Sequence, residues 1–133
     1  MMYLFLCKGN VGRSQMAEAL FEKYVSDKGN VISAGTALSG PEQTLESLLP
    51  GTENVLKVLE EEGINALQKK RKQLTDVMIA SADKIILIST DPTPENLNNN
   101  EKLEYWNIAD PKGMSLEDTR KIKNQIKEKI LEL

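Results

Sequence analysis

The apolar positions of this chain change their spacing several times, and each change marks an element. "YLFL" (3–6) is a continuous apolar run of strand length. From Ser14 to Lys28, Met16, Ala17, Leu20, Phe21, Tyr24 and Val25 recur at helical spacing with charges between them. Ser14 suits the helix N-cap and Gly29 its stop. Residues 31–34 read as a second short strand ending at Gly35, and residues 36–51 as a loop carrying Gly40, Pro41, Pro50 and Gly51. A helix is expected over about 52–62 with Val55, Leu56, Val58 and Leu59 inward, and a shorter one over 75–82. "KIILIS" (84–89) is continuously apolar and β-branched, the pattern of a strand in the middle of a parallel sheet. "LEYWNI" (103–108) is a fourth strand leading into Asp110-Pro111. A last helix runs from Ser115 to the end, with Ile122, Ile126 and Ile130 one turn apart.

Strands alternating with helices predict a single α/β domain over 1–133: a parallel sheet covered on both faces. In such sheets ligands bind at the carboxyl ends of the strands, where strand order reverses. Cys7 is expected at the carboxyl end of the first strand and Asp110 just past the end of the fourth. Two reactive residues far apart in sequence are thereby predicted to share one edge.

Composition narrows the chemistry. With 17 basic and 20 acidic residues in 133 the net charge is −3, which argues against a nucleic-acid partner. No apolar run approaches membrane-spanning length, and "MMYLFL" lacks the flank and cleavage site of a secretion signal. The single cysteine permits no internal disulfide, which fits a reducing cytoplasm. There is no histidine. Serine triads, Cys-His pairs, histidine-held metals and zinc cages are therefore excluded, and neither metal nor cofactor is expected.

What remains is the stretch Cys7-Lys8-Gly9-Asn10-Val11-Gly12-Arg13-Ser14, which reads as an anion site. Gly9 and Gly12 let successive N–H groups turn toward a common centre. The helix that follows adds its N-terminal amides and the positive end of its dipole. Arg13 supplies a planar fork for two oxygens of a phosphate. A thiol at the base of such a cradle is favoured as thiolate without any histidine, and Ser14 is placed to donate a hydrogen bond to it. A thiolate facing a bound phosphoryl group suggests in-line displacement through a phosphocysteine. Asp110 on its loop would then protonate the leaving oxygen and afterwards activate water, with Pro111 stiffening that loop.

The stretch CKGNVGRSQMAEA resembles the low-molecular-weight protein tyrosine phosphatases and the related thioredoxin-coupled arsenate reductases, whose signature is Cys, five residues, Arg, Ser. "SAGT" (33–36), "KQLT" (72–75) and "ADP" (109–111) match in order and spacing, so the resemblance spans nearly the whole chain. It implies a flavodoxin-like fold, a four-stranded sheet between helical layers, and no metal. It also implies Cys7 as nucleophile, Arg13 as clamp, Asn10 and Ser14 as loop and thiolate supports, and Asp110 as general acid. The partner implied is a phosphorylated protein or small phosphomonoester.

Departures from the pattern matter. Family members often carry a second cysteine where Gly12 stands, and arsenate reductases carry further cysteines for an internal relay. This chain has neither, so any reductase activity needs an external thiol or redoxin. Tyrosine-specific members place aromatic residues where this chain reads "KGM" and "ALSGPEQ", and a phosphotyrosine ring would lack those walls. Val11 stands where phosphoarginine-selective relatives carry threonine. The expected activity is phosphomonoester hydrolysis. The alternatives are thiol-dependent arsenate reduction, a phosphate-binding module with weak turnover, and, more distantly, a phosphotransfer domain. Elsewhere, "KKRK" (69–72) reads as a solvated loop, with a lesser reading of Lys72 as a residue near the site. Trp106 and Tyr105 read as core or near-core. Glu60–Glu62 and Asn98–Asn100 read as solvent-facing.

Overall fold

The computed structural model describes all residues, Met1–Leu133. Four strands form one sheet: β1 (Met2–Cys7), β2 (Asn30–Gly35), β3 (Lys84–Ile88) and β4 (Leu103–Trp106). Their order is β2-β1-β3-β4 and every pairing is parallel. The helices are α1 (Arg13–Tyr24), α2 (Glu53–Glu61), α3 (Asp76–Ser81) and α4 (Leu116–Leu131). This is the parallel α/β arrangement that the alternating pattern predicts, and it is the flavodoxin-like fold that the family resemblance implies.

The two central strands are apolar on both faces because both faces are covered. Along β1, Tyr3 and Phe5 point into the larger core, and Leu4 and Leu6 into the smaller one. Along β3, Ile86 and Ile88 face the first and Ile85 and Leu87 the second. The larger core lies under α1, α2 and α4, whose Leu20, Phe21, Val58, Leu59, Ile122, Ile126 and Ile130 fill it. Phe5 lies between Phe21 and Trp106, with ring centroids 6.1 and 5.8 Å away. The smaller core lies beneath α3, where Leu74, Met78 and Ile79 pack against it. Trp106 is core as expected. Tyr105 is 41% exposed, because alternation along β4 puts it on the opposite side.

Two expectations about α1 fail. Ser14 is not its N-cap; Gly12 occupies that position and no side chain caps the helix. The helix also ends at Tyr24, followed by a 3-10 turn at Ser26–Lys28, so Gly29 is not its stop. A Cβ on Gly29 would collide with the Met1 carbonyl oxygen, so its work is close approach to the backbone that leads into β1. In contrast, Thr75 and Ser115 cap α3 and α4 as side-chain acceptors from Met78 and Asp118 N–H.

Charged residues expected in solvent are in part structural. Glu62, at the end of α2, accepts hydrogen bonds from Lys123 (2.6 Å) and Lys127 (3.0 Å) of α4 and from the Tyr24 hydroxyl of α1. Its side chain is only 10% exposed. Burial alone would push the carboxyl up, but the hydrogen bonds of Lys123, Tyr24 and Lys127 outweigh it and hold it down at about 2. A carboxyl held below its ordinary 4.5 contributes stability that is complete above that value and lost as pH falls toward 2. Glu62→Gln is therefore expected to lower stability by about 1–3 kcal/mol near neutral pH. Denaturant melts of the two proteins should converge as pH falls toward 2. A constant difference across that window would show that packing, not charge, is what Glu62 contributes.

Candidate active site

β1 leaves the sheet at Cys7, which pairs in register with Gly35 at the end of β2. The chain proceeds from β1 to β2 on one side and returns to β3 on the other, so the carboxyl end of β1 is the switch point of the sheet. Residues 8–12 turn there into α1. Asn10 makes the turn possible with a left-handed φ of 52°, a conformation asparagine adopts more readily than most residues. Gly12 then leaves the first amides of α1 without a side-chain cap. An uncapped helix N-terminus behind a tight loop is a ready anion site.

Four side chains lock this loop. The Cys7 sulfur lies 2.9 Å from the Ser14 hydroxyl oxygen. Asn10 Nδ2 donates to Ser14 Oγ at 2.7 Å and to Ser33 Oγ at 3.0 Å. Ser14 oxygen accepts from Asn10, which leaves its own proton for sulfur. Asn10 Oδ1 in turn accepts from the Lys72 backbone N–H (2.9 Å) and from Gln15 Nε2 (3.1 Å). The Asn10 amide is thus satisfied at both ends, and its orientation is fixed by three other segments. Asn10, Ser14, Gln15 and Ser33 are fully buried and Cys7 is 2% exposed. Of the two roles expected of Ser14, the structure keeps its contact with the thiol and not the helix cap.

Arg13 is 4% exposed. One guanidinium nitrogen donates to the Ile108 carbonyl at 3.0 Å and another lies 3.7 Å from Asp110 Oδ2. Asp110 itself is about half exposed, and its Oδ1 accepts the Lys112 N–H at 2.9 Å. Pro111 is buried, and a Cβ on Gly12 would sit 3.4 Å from its ring. The Asp-Pro loop thus rests on the first turn of α1. Cys7, Arg13 and Asp110 converge on one edge of the sheet, as the sequence predicts. Of the remaining loop residues, Lys8 is exposed and Gly9 stands open, while Val11 packs against the larger core.

Sequence reasoning gave no site role to Gln15, Ser33, Gly35, Arg71 or Gln73, and placed Lys72 near the site only as a lesser reading, which its backbone contact with Asn10 bears out. Polar residues set at a strand end and a helix start, where the flanking apolar pattern predicts burial, were the available sign for the first two. Gly35 is required by close approach: its Cβ would lie 2.7 Å from the Lys8 carbonyl oxygen and 3.1 Å from the Asn10 nitrogen. Gly35→Ala is expected to cost about 1–3 kcal/mol and to displace the anion loop. A denaturant melt together with phosphate affinity checks this; an unchanged melt and affinity would mean that β2 shifts freely away from the loop. "KKRK" (69–72) is not simply solvated. Lys69 donates to Glu18 at 2.7 Å, and Arg71 is 5% exposed.

A tight loop at the switch point, running into an uncapped helix N-terminus with a buried thiol at its start and a buried guanidinium at its end, defines an oxyanion-binding class of site. The model for the low molecular weight phosphotyrosine protein phosphatase family matches residues 3–133, and the chain belongs to that family. It is 29% identical over 132 residues to an arsenate reductase of Bacillus cereus, covering 95% of this chain and 88% of the relative. The YwlE arginine phosphatase from Geobacillus stearothermophilus superposes with a TM-score of 0.80 at 26% identity, covering 97% of this chain and 87% of that one. An arsenate reductase in the phosphate binding state matches with a TM-score of 0.80 at 27% identity, covering 98% and 94%. No helix is long and apolar enough to cross a membrane, and no three His, Cys, Asp or Glu side chains gather where they could hold a metal ion.

Proposed function

We propose that the protein is a phosphomonoester hydrolase in which Cys7 is the nucleophile, Arg13 the phosphate clamp and Asp110 the general acid. The convergence of the Cys7 sulfur, the uncapped start of α1, and the Arg13–Asp110 pair at 3.7 Å carries this reading. A phosphate monoester enters with its non-bridging oxygens on the amides of residues 8–14 and the Arg13 fork. The Cys7 thiolate attacks phosphorus in line. The S–P bond forms as the P–O bond to the alcohol breaks, and Asp110 gives its proton to the departing oxygen. Water then attacks the phosphocysteine with Asp110 taking its proton. Phosphate leaves and the thiolate returns, steadied by the Ser14 hydroxyl.

The placement of the six aromatic residues supports a substrate without a large ring. Tyr3, Phe5, Phe21 and Trp106 are buried in the core, the Tyr24 hydroxyl is engaged by Glu62, and the Tyr105 hydroxyl donates to the Asp91 carbonyl. The free thiol with no disulfide partner fits a reducing cytoplasm. A second reading rests on the arsenate reductases among its relatives. Arsenate would occupy the same loop. Because Cys7 is the one cysteine, the two electrons that convert arsenate to arsenite must come from an external dithiol or redoxin, which leaves as its disulfide. Hydrolysis of p-nitrophenyl phosphate in chelator, across roughly pH 4–8, tests the first reading. Arsenite production that depends on added thiol, with no hydrolysis, would replace it with the second.

A further inference from the structure

Arg71 belongs to no part of the chemistry above, yet its environment is costly. It is 5% exposed and pairs with no carboxylate. A buried guanidinium is tolerated only where its hydrogen bonds compensate lost hydration. Here Nε donates to the Pro41 carbonyl at 2.9 Å and Nη2 to the Ser39 carbonyl at 2.9 Å. Both acceptors lie in the loop after β2, and the turn Ser39-Gly40-Pro41 wraps around the charge.

That loop is a wall of the candidate site. Thr36 N–H donates to the Cys7 carbonyl (2.8 Å), and Ala37 N–H to the Lys8 carbonyl (3.0 Å). A Cβ placed on Gly35 would meet Leu38 Cδ1 at 2.5 Å as well as the anion loop, so Leu38 lies over that glycine. Gln73 holds the near end of the same wall: its Oε1 accepts Leu38 N–H at 3.0 Å and its Nε2 donates to the Thr36 carbonyl at 3.1 Å. The segment carrying Arg71 and Gln73 is anchored on its other side to the anion loop. Lys72 N–H donates to Asn10 Oδ1, and Gln15 Nε2 donates to the Lys70 carbonyl at 3.2 Å. In this extended stretch the backbone of residues 70 and 72 grips the anion loop, while the side chains of 71 and 73 grip the wall.

We infer that Arg71, with Gln73, is a positioning residue that sets the 36–41 wall over the anion loop, so that it governs how the organic part of a substrate is held. Inorganic phosphate touches the loop alone; a phosphate ester also meets the wall. Loss of Arg71 therefore weakens binding of the ester and leaves that of the bare anion. This deepens the phosphatase reading and rests on it for the word substrate.

The test is made on the full chain with Arg71→Ala, Arg71→Lys and Gln73→Leu, using protection of Cys7 from iodoacetate by inorganic phosphate and by phenylphosphonate. The phenylphosphonate constant should rise about three- to tenfold in Arg71→Ala, as expected for one or two lost hydrogen bonds. The phosphate constant should stay within about twofold, and Arg71→Lys should fall between. The Km for p-nitrophenyl phosphate should follow phenylphosphonate while kcat changes little. Amide exchange should quicken at residues 37–43 and not at 8–14. Parallel weakening of both anions would overturn the inference in favour of a general structural role, and so would unchanged values for both. If Arg71→Ala does not fold, Gln73→Leu gives the same reading with a neutral side chain. A wild type that binds both anions without hydrolysis would sink the phosphatase reading alone, since the binding comparison still decides what Arg71 does.

Discussion

Cys7→Ser is expected to abolish hydrolysis of p-nitrophenyl phosphate, a loss on the order of 10⁴-fold or more. Serine keeps the shape of the residue at a position 2% exposed, and Ser14 Oγ at 2.9 Å remains a hydrogen-bond partner, so the fold and the anion loop should survive. What disappears is the means of making an anion at that atom. A serine nucleophile needs a neighbouring base to take its proton, and the chain has no histidine to provide one. Loop amides and a guanidinium, which can support a thiolate nucleophile, do not suffice for an alkoxide. Steady-state assays in chelator, with phosphate affinity measured on the variant, check both halves. Retained turnover of more than a few per cent would remove Cys7 from the role of nucleophile. Lost turnover together with lost phosphate binding would instead report a collapsed loop.

Asp110→Asn should lower kcat by roughly 10²–10³-fold, within the range for a general acid. Asparagine keeps an oxygen to accept the Lys112 N–H, now at 2.9 Å from Asp110 Oδ1, so the turn that presents the side chain is preserved. The carboxyl is itself half exposed, so the variant buries no new group, but it takes away the one carboxylate, 3.7 Å away, beside the buried Arg13 guanidinium. The diagnostic is the leaving group. p-Nitrophenolate departs with little need of a proton, whereas an alkoxide needs one, so the loss should be larger with an alkyl phosphate. Equal losses on both substrates would point to electrostatic support of Arg13 rather than proton transfer.

The two variants act on residues about a hundred positions apart, and their neighbourhood could be read before any coordinates. A run of apolar residues ending at Cys7 and another ending near Ile108 place both at strand ends, and parallel sheets gather those ends on one side. Helix starts were legible where they rest on local chemistry, as at Thr75 and Ser115, whose hydroxyls cap α3 and α4. The start of α1 was not. Ser14 reads in sequence both as a cap and as a partner for the thiol, and the packing of α1 against β1 keeps only the second role. The basic run 69–72 misled for the same reason. Charge in a loop normally means solvent, but here the Ser39-Gly40-Pro41 turn wraps around Arg71 and buries it. Glu62 likewise looks like one of three exposed glutamates until α1 and α4 close over it.

Spacing and composition thus expose most of what depends on near neighbours. The order of strands and helices along the chain, the glycine-flanked loop running into a helix, and the exclusion of histidine-based chemistry all follow from spacing and composition. The tertiary structure decided which donors meet which acceptors across long separations: Asn10 with Ser33 and Lys72, Arg13 with Ile108 and Asp110, Arg71 with Ser39 and Pro41. Hydrophobic periodicity is blind to these pairs. It reports which face of an element is buried, whereas a buried polar group must find a specific partner, and that partner is chosen by the packing of elements far apart in the chain.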